Sequence, residues 1–386
     1  MITKNYKDTD KKLSQFGFGC MRLPTTTGNP ADPIDYAKAE ALIDYAYAHG
    51  INYFDTAYVY HNGDSENFIG KALSKYPRDT WNLVTKMPPS AVQKPEDLEK
   101  VFNDQLKKCG VDYFDFYLCH GVMDICYDFF AGEEFGVIPF LDRMKKEGKI
   151  KKLGFSSHCS PKKLAEFCEL YDWDIAQIQL NYFDWDYQDA KQQYEILTAH
   201  HIPIVVMEPC RGGRLCTLCD ESVDILKKAA PDRSVASWAF RWLQGLPNVQ
   251  VVLSGMNTME QLTDNLSVFE SPQPLNDEEK AALQKAIDAF KSKFTVPCTA
   301  CRYCNKCPKE LDIPVILSAY NDCCLTDNQF MRGSTYKALK ARGEKYMPYE
   351  CVGCGTCMNA CPQGIDTPSI MDAFSKMINE IPAHFK

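Results

Sequence analysis

Across residues 1–270 the chain alternates short runs of β-branched and aromatic residues with longer stretches whose apolar positions recur every three to four residues. The first pattern reads as strand, the second as amphipathic helix. The predicted strands are 51–56, 82–85, 114–119, 152–155, 175–180, 202–207 and 249–253, with an initial strand or hairpin around 16–21. Helix ends are marked as well. One helix has Pro95 in its first turn, Leu98, Val101, Phe102 and Leu106 along one face, and Gly110 as its stop. Another starts at Ser160 and Pro161, an N-cap followed by a first-turn proline. Eight strand-like runs, most followed by a helix, within about 250 residues predict an α/β chain built on a (β/α)8 TIM barrel. A doubly wound sheet is disfavoured, since no GxGxxG follows the first strand.

Beyond residue 270 the pattern changes. Pro272, Pro274, Asn276 and Asp277 open a charged helical segment over 277–290. The predicted division is a barrel over 1–275, a helical linker over 276–293 and a small, mainly helical domain over 294–386. Cysteine dominates that last domain. Cys298, Cys301, Cys304 and Cys307 precede Pro308, and Cys351, Cys354, Cys357 and Cys361 precede Pro362. Thiolates at two-residue intervals can wrap an iron–sulfur cube, and the proline ends the ligand loop. Eight such cysteines suffice for two 4Fe–4S clusters. Four-thiolate zinc sites share the two-residue gap, but evenly spaced quartets ending in Cys-Pro favour iron and sulfide. The first quartet closes on a two-residue gap where the second has three, so Cys323 and Cys324 stand as alternatives to Cys307. Cys210, Cys216 and Cys219 lie in a loop and read as free thiols rather than a further metal site.

Composition narrows the setting. Hydrophobic (45%) and charged (24%) contents are ordinary for a globular protein. No run approaches the ~18–20 uninterrupted apolar residues of a membrane span, and the opening MITKNYKDTD lacks the apolar core of a secretory leader. Nineteen cysteines in that context imply a reducing, cytoplasmic, oxygen-poor setting rather than disulfides. Residues 290–386 carry 12 Lys and Arg against 9 Asp and Glu, so the net charge of −8 comes from the barrel. An acidic body with a mildly basic tail predicts no nucleic-acid partner.

Barrels of this kind work at the C-terminal ends of their strands. Asp55, Lys86 and His120 each end a predicted strand, and Tyr60 follows five residues after Asp55 in the adjoining loop. A phenol is a weak acid, but a nearby ammonium favours its ionised form and lowers its pKa. Lys86, anchored by Asp55, is placed to do that to Tyr60, while His120 can hold a carbonyl oxygen as charge develops on it. The expected chemistry is protonation of a carbonyl oxygen as hydride reaches its carbon. The aromatic-rich loop 121–136 is expected to line a substrate pocket.

These segments resemble the aldo-keto reductase family over roughly residues 12–270. FDTAYVYHNGDSE resembles its FDTA-x-x-Y segment, VTKMP its lysine segment, and DYFDFYLCHG its DYxDLYLxH segment, so the tetrad Asp55, Tyr60, Lys86 and His120 occurs in order. The resemblance implies a nicotinamide cofactor, NADPH or NADH, and a small carbonyl or alcohol substrate. It places Ser156, Ser157 and Gln177 near the nicotinamide carboxamide, and Asp264 and Asn265 at the family's terminal acid-Asn pair. Met207 stands where many members carry a stacking aromatic, and Gly255 and Gln261 where NADP-preferring members often carry Lys and Arg. Arg214, in Arg211-Gly212-Gly213-Arg214, lies near the loops after strands seven and eight, where barrels bind phosphate.

The tail resembles α-helical two-cluster ferredoxin domains. By their rule the fourth cysteine of each run serves the other cluster, which implies one set of Cys298, Cys301, Cys304 and Cys361 and a second of Cys351, Cys354, Cys357 and Cys307. Helical stretches are expected at 315–320 and 334–341. Barrel and tail together resemble the iron–sulfur branch of the aldo-keto reductases. Nicotinamide passes two electrons as hydride and a cluster passes one. The clusters therefore serve structure, redox sensing or an electron-transfer protein partner, and direct exchange with the barrel calls for a converter such as a flavin. The leading expectation is a carbonyl–alcohol oxidoreductase. The alternatives are a ferredoxin-coupled or flavin-assisted oxidoreductase and a non-catalytic redox-sensing module.

Overall fold

The structure, a computed structural model, describes every residue except 8, 29–31, 188, 294, 295, 297, 299–303, 305, 327, 362 and 363. Two compact units emerge: Met1–Cys216 with Ala236–Leu275, and Thr217–Val235 with Asn276–Lys386. The strands among the described residues are β1 (Thr3–Asn5), β2 (Lys12–Ser14), β3 (Phe16–Gly19), β4 (Tyr53–Asp55), β5 (Asn82–Met87), β6 (Phe114–Val122), β7 (Ile150–Ser157), β8 (Ile175–Gln179), β9 (Ile204–Met207) and β10 (Val249–Ser254).

Strands β3 to β10 close into a parallel barrel in chain order, β10 returning to β3. This is the (β/α)8 fold that the eight runs predict. The antiparallel β1–β2 hairpin was not expected as a separate element. Its Tyr6 and Leu13 join Tyr53, Val84, Phe116, Ile175, Val205 and Val251 in one apolar cluster, and the Tyr6 hydroxyl donates to Asp174 O at 2.6 Å. Gly17 sits in the same crowd: a methyl group there would lie 2.8 Å from both Leu253 and Val251 side chains. The neighbours on alternate positions, such as Phe54, Leu83 and Tyr117, join the layer that packs under the helices.

Helix boundaries follow the sequence signals. The helix Glu96–Cys109 ends at Gly110 with φ +62°, a left-handed stop that glycine adopts without a Cβ penalty. The helix Pro161–Cys168 starts after Ser160. Loop 121–136 packs two of its aromatics inward. Tyr127 and Phe130 are buried in the barrel's outer core, and Asp124 accepts from Ser160 N and Oγ at 2.9 and 2.7 Å.

In the second unit the helix Asp220–Ala229 pairs with Asp277–Lys293, and Ser222 Oγ donates to Ala286 O at 2.7 Å. The helices Ile313–Cys324, Gln329–Arg342 and Thr367–Glu380 enclose a core that includes Ile316, Leu317, Leu339 and Phe374. Asn328 and Asp366 cap two of them with side-chain oxygens. Among the described residues no helix is long and apolar enough to cross a membrane.

Candidate active site

Strand parity builds the site. Side chains two apart on a strand share a face, so the interior positions Tyr53, Val84 and Phe116 imply that Asp55, Lys86 and His120 also point inward, one or two steps nearer the strand ends. Register staggers them by two residues from strand to strand, with Asp55 opposite Val84 and Lys86 opposite Leu118. Lys86 Nζ lies 2.8 Å from each Asp55 oxygen and 2.7 Å from Thr56 O. Both side chains are almost wholly buried, at 1% and 4% exposure.

The four expected residues converge. Lys86 Nζ lies 5.1 Å from the Tyr60 ring centroid, close enough for its charge to act on the phenol. The Tyr60 and His120 rings meet edge to face, with centroids 5.9 Å apart and planes at 84°. Burial opposes the Lys86 charge, but Asp55 and Tyr60 together outweigh it and hold the ammonium above its ordinary range. Burial pushes the Asp55 carboxyl up while Lys86 pulls it down.

Tyr60 departs from the expected direction. The Lys86 ammonium does pull its pKa down, but burial pushes harder, and the net value lies above that of an ordinary phenol. A buried phenolate loses more hydration than one ammonium, itself half spent on Asp55, restores. The resting hydroxyl is therefore firmly protonated. His120 goes the other way: burial, the Lys86 charge and His158 push it down to about 3. It is a neutral imidazole near pH 7, and so a hydrogen-bond donor or acceptor rather than a competing acid.

Several neighbours escaped the sequence pattern. His158, one residue past β7, is pushed down by burial and acts on His120. Cys20, one residue past β3, has its thiol pushed up by burial and by Asp55. Both follow strand ends, the rule that singled out the tetrad. Arg22 is the third. A methyl group on Gly255 would lie 3.2–3.3 Å from the Arg22 stem, and one on Gly212 would lie 3.3 Å from its guanidinium. The arginine thus crosses from the loop after β3 to the loops after β9 and β10.

The expected cofactor contacts divide. Gln177 Nε2 lies 3.8 Å from Met207 Sδ, and Gln177 Oε1 is buried with no hydrogen-bond partner, an open acceptor suited to a carboxamide N–H. Ser156 Oγ accepts from Gly121 N at 2.7 Å, and Ser157 Oγ from Cys159 N at 3.0 Å, so both hydroxyls also brace their own loops. Asn265 Nδ2 donates to Ser254 Oγ at 3.2 Å. Gln261 Oε1 accepts from Asn257 N at 3.0 Å, closing a helix cap. Asp264 stands half-buried nearby in sequence, and its charge acts on Cys210 and Cys216. Arg214 lies in the turn Arg211–Cys216.

In the second unit Cys307, Cys351, Cys354 and Cys357 line one pocket with Leu311, Ile313 and Met371. Gly353 and Gly355, at φ +68° and +73°, curl the loop between the thiols. Among the described residues no three His, Cys, Asp or Glu side chains converge on a single-ion site. Four thiols around an apolar volume suit a multi-iron cube, whereas a lone zinc needs its sulfurs about 2.3 Å from one point. Cys298, Cys304 and Cys361 pack against the same apolar core. Cys301, the remaining expected ligand, lies outside the described residues. Cys323 is buried within its helix, and burial pushes its thiol up to about 12.

Comparison with known proteins gives the barrel a family. The sequence pattern described as the aldo/keto reductase family matches residues 15–288, and that of a 4Fe-4S binding domain matches residues 344–366. The chain belongs to the aldo/keto reductase family and is an oxidoreductase with a 4Fe–4S binding motif in its tail. It is 30% identical over 187 residues to a probable aldo-keto reductase of Glycine max, covering 46% of this chain but only 51% of that protein. An uncharacterized oxidoreductase of Bacillus subtilis is 26% identical, with 72% of this chain and 93% of that protein covered. An NADH-specific methylglyoxal reductase of Escherichia coli is 24% identical over 68% of this chain and 91% of its own length. Among solved structures, the holo form of an aldo-keto reductase from Bacillus halodurans superposes with a TM-score of 0.61 at 26% identity, covering 74% of this chain and 96% of that one. An aldo-keto reductase of Klebsiella pneumoniae in complex with NADPH shares the fold, with a TM-score of 0.60 at 21% identity over 74% and 95%.

Proposed function

We propose that the chain interconverts a small carbonyl compound and an alcohol with NADPH or NADH, and that its tail holds two 4Fe–4S clusters. The observation that carries the reading is the buried Lys86 ammonium, fixed by both Asp55 oxygens at 2.8 Å and 5.1 Å from the ring centroid of a protonated Tyr60. Nicotinamide, when bound, supplies or accepts the hydride. Tyr60 gives its proton to the carbonyl oxygen, and Lys86 stabilises the phenolate left behind. His120, neutral, orients that oxygen by hydrogen bonding and does not compete for the proton. Burial keeps Tyr60 protonated until a developing alkoxide, a far stronger base, takes the proton.

On the cofactor side, Gln177 Oε1 accepts from the carboxamide, with Ser156, Ser157, Met207 and Asn265 around it. Arg22 supplies the phosphate-facing cation that Gly255 and Gln261 lack, lying where barrel loops seven and eight bind phosphate. Arg214 and Asp264 complete that rim. In the tail we assign Cys351, Cys354, Cys357 and Cys307 to one cluster and Cys298, Cys301, Cys304 and Cys361 to the other, within a domain over 294–386 joined by the segment 276–293. The shared pocket of Cys307 with the second quartet supports the crossed assignment. The test is anaerobic turnover of a panel of aldehydes and ketones with each nicotinamide. Oxidation of either reduced cofactor that depends on a carbonyl compound supports the reading, and silence across the panel with intact clusters overturns it.

A further inference from the structure

The loop that leaves β9 is wound back on itself. Glu208, Arg211, Gly212 and Gly213 all have positive φ, at +53°, +48°, +66° and +98°. Gly213 N and Leu215 N both donate to Cys210 O, at 2.9 and 3.1 Å. Leu215 is fully buried and pins the turn. Its start is held by Arg211, whose Nε lies 3.0 Å from Oδ1 of the fully buried Asp184. The Asp184 carboxylate is in turn gripped by Gln179 and Asn181, each at 2.8 Å. The curl returns the chain so that the Cys210 and Cys216 side chains come within interaction range of each other. Neither forms a disulfide in this structure, and both are partly accessible.

Of the two non-glycine residues at positive φ, Glu208 precedes Cys210 and Arg211 lies between the two cysteines. Non-glycine residues at positive φ persist only where the surroundings over-determine them. Here the Asp184 anchor and the Leu215 plug fix the two ends, and the two cysteines stand on either side of the turn. The buried Tyr182 hydroxyl has no hydrogen-bond partner and feels both sulfurs.

We propose that Cys210 and Cys216 are a redox-active dithiol, a modification site that takes a low-molecular-weight or protein disulfide as its oxidant. The thiolate of one cysteine attacks one sulfur of the incoming disulfide, forming a mixed disulfide and releasing one thiolate. The other cysteine then gives up its proton and attacks that cysteine's sulfur, releasing the second. Two protein thiols are oxidised to one intraloop disulfide, and the disulfide reagent is reduced to two thiols. Gly212, against which the Arg22 guanidinium lies, is inside the closed ring. Oxidation therefore locks the phosphate-facing loop; this consequence rests on the cofactor reading above, whereas the dithiol does not.

The test uses the full-length, cluster-loaded protein, held anaerobically with excess oxidised glutathione, quenched in acid, alkylated and digested with trypsin. Cleavage after Arg211 and Arg214 separates the two cysteines, so the expected product is a pair of peptides, one ending at Arg211 and one beginning at Leu215, joined through sulfur. The link should survive in Cys219→Ser and vanish in Cys210→Ser and Cys216→Ser, with cluster absorbance unchanged in all three. Separate alkylation of both thiols, a lasting glutathione adduct without the link, or a link moved to Cys219 overturns the proposal. NAD(P)H fluorescence titration gives the second arm, with at least fivefold weaker binding expected after oxidation and reversal by dithiothreitol. A link formed with unchanged affinity keeps the dithiol and rejects the loop's part in cofactor binding.

Discussion

Lys86 Nζ sits 2.8 Å from both carboxylate oxygens of Asp55, in a pair with almost no exposed surface. Such a pair costs desolvation on both sides, and removing one partner strands the other as a lone buried charge. Asp55→Asn should therefore destabilise the barrel by about 3–5 kcal/mol, and Asp55→Asn with Lys86→Met should recover part of that loss. Denaturant unfolding followed by barrel tryptophan fluorescence measures both. Equal stability of Asp55→Asn and wild type would contradict the buried pair.

The pH dependence follows from two opposite shifts. His120 titrates near 3 when folded and near 6.5 when unfolded. Between those values the unfolded chain binds the extra proton, so stability falls with acidification, by at most about 1.4 kcal/mol per pH unit from this group. His120→Gln should flatten that slope. Activity in the reductive direction should show no His120 limb between pH 5 and 8. It should decline only on the alkaline side, as Tyr60 loses its proton above the ordinary phenol range.

Arg22 gives a test of cofactor binding. Loss of a charge-assisted hydrogen bond is worth about 1.5–3 kcal/mol, or about tenfold to a hundredfold in affinity. Arg22→Ala should weaken NAD(P)H binding by that order in a fluorescence titration. A larger loss for NADPH than NADH assigns the contact to the 2′-phosphate, and equal losses assign it to the pyrophosphate. Unchanged affinity for both would remove Arg22 from the site.

The tail assignment separates two cysteines that sequence leaves open. Cys307→Ser should lower iron and acid-labile sulfide by about one cluster of two, whereas Cys323→Ser should leave both unchanged. The reverse result would move the ligand into the helix Ile313–Cys324.

Much of this was legible before the structure. Strand runs and their polar ends located the barrel and brought Asp55, Lys86 and His120 to one mouth, because period-two alternation and parallel register are local rules. Tyr60 joined them through its distance from Asp55. Features set by contacts distant in sequence stayed hidden. The β1–β2 hairpin is two three-residue strands with mixed polarity, too short for a pattern to declare. Arg22 reaches Gly255 across more than two hundred residues, and nothing in GCMRLP announces it. The sign of the Tyr60 shift was also out of reach, since the spacing FDTAYVY fixes a neighbour but not the extent of burial. Loop 121–136 shows the same limit. Its aromatics suit a pocket wall or a packed rim equally well in composition, and the structure buries Tyr127 and Phe130.

The proton-donor role of Tyr60 is the central claim, and Tyr60→Phe tests it most directly. Single-turnover oxidation of bound NAD(P)H by an aldehyde that the wild type reduces should slow by about 10²–10⁴-fold, with cofactor affinity, cluster absorbance and unfolding midpoint retained. A variant that reduces the same aldehyde at the wild-type rate would contradict the account.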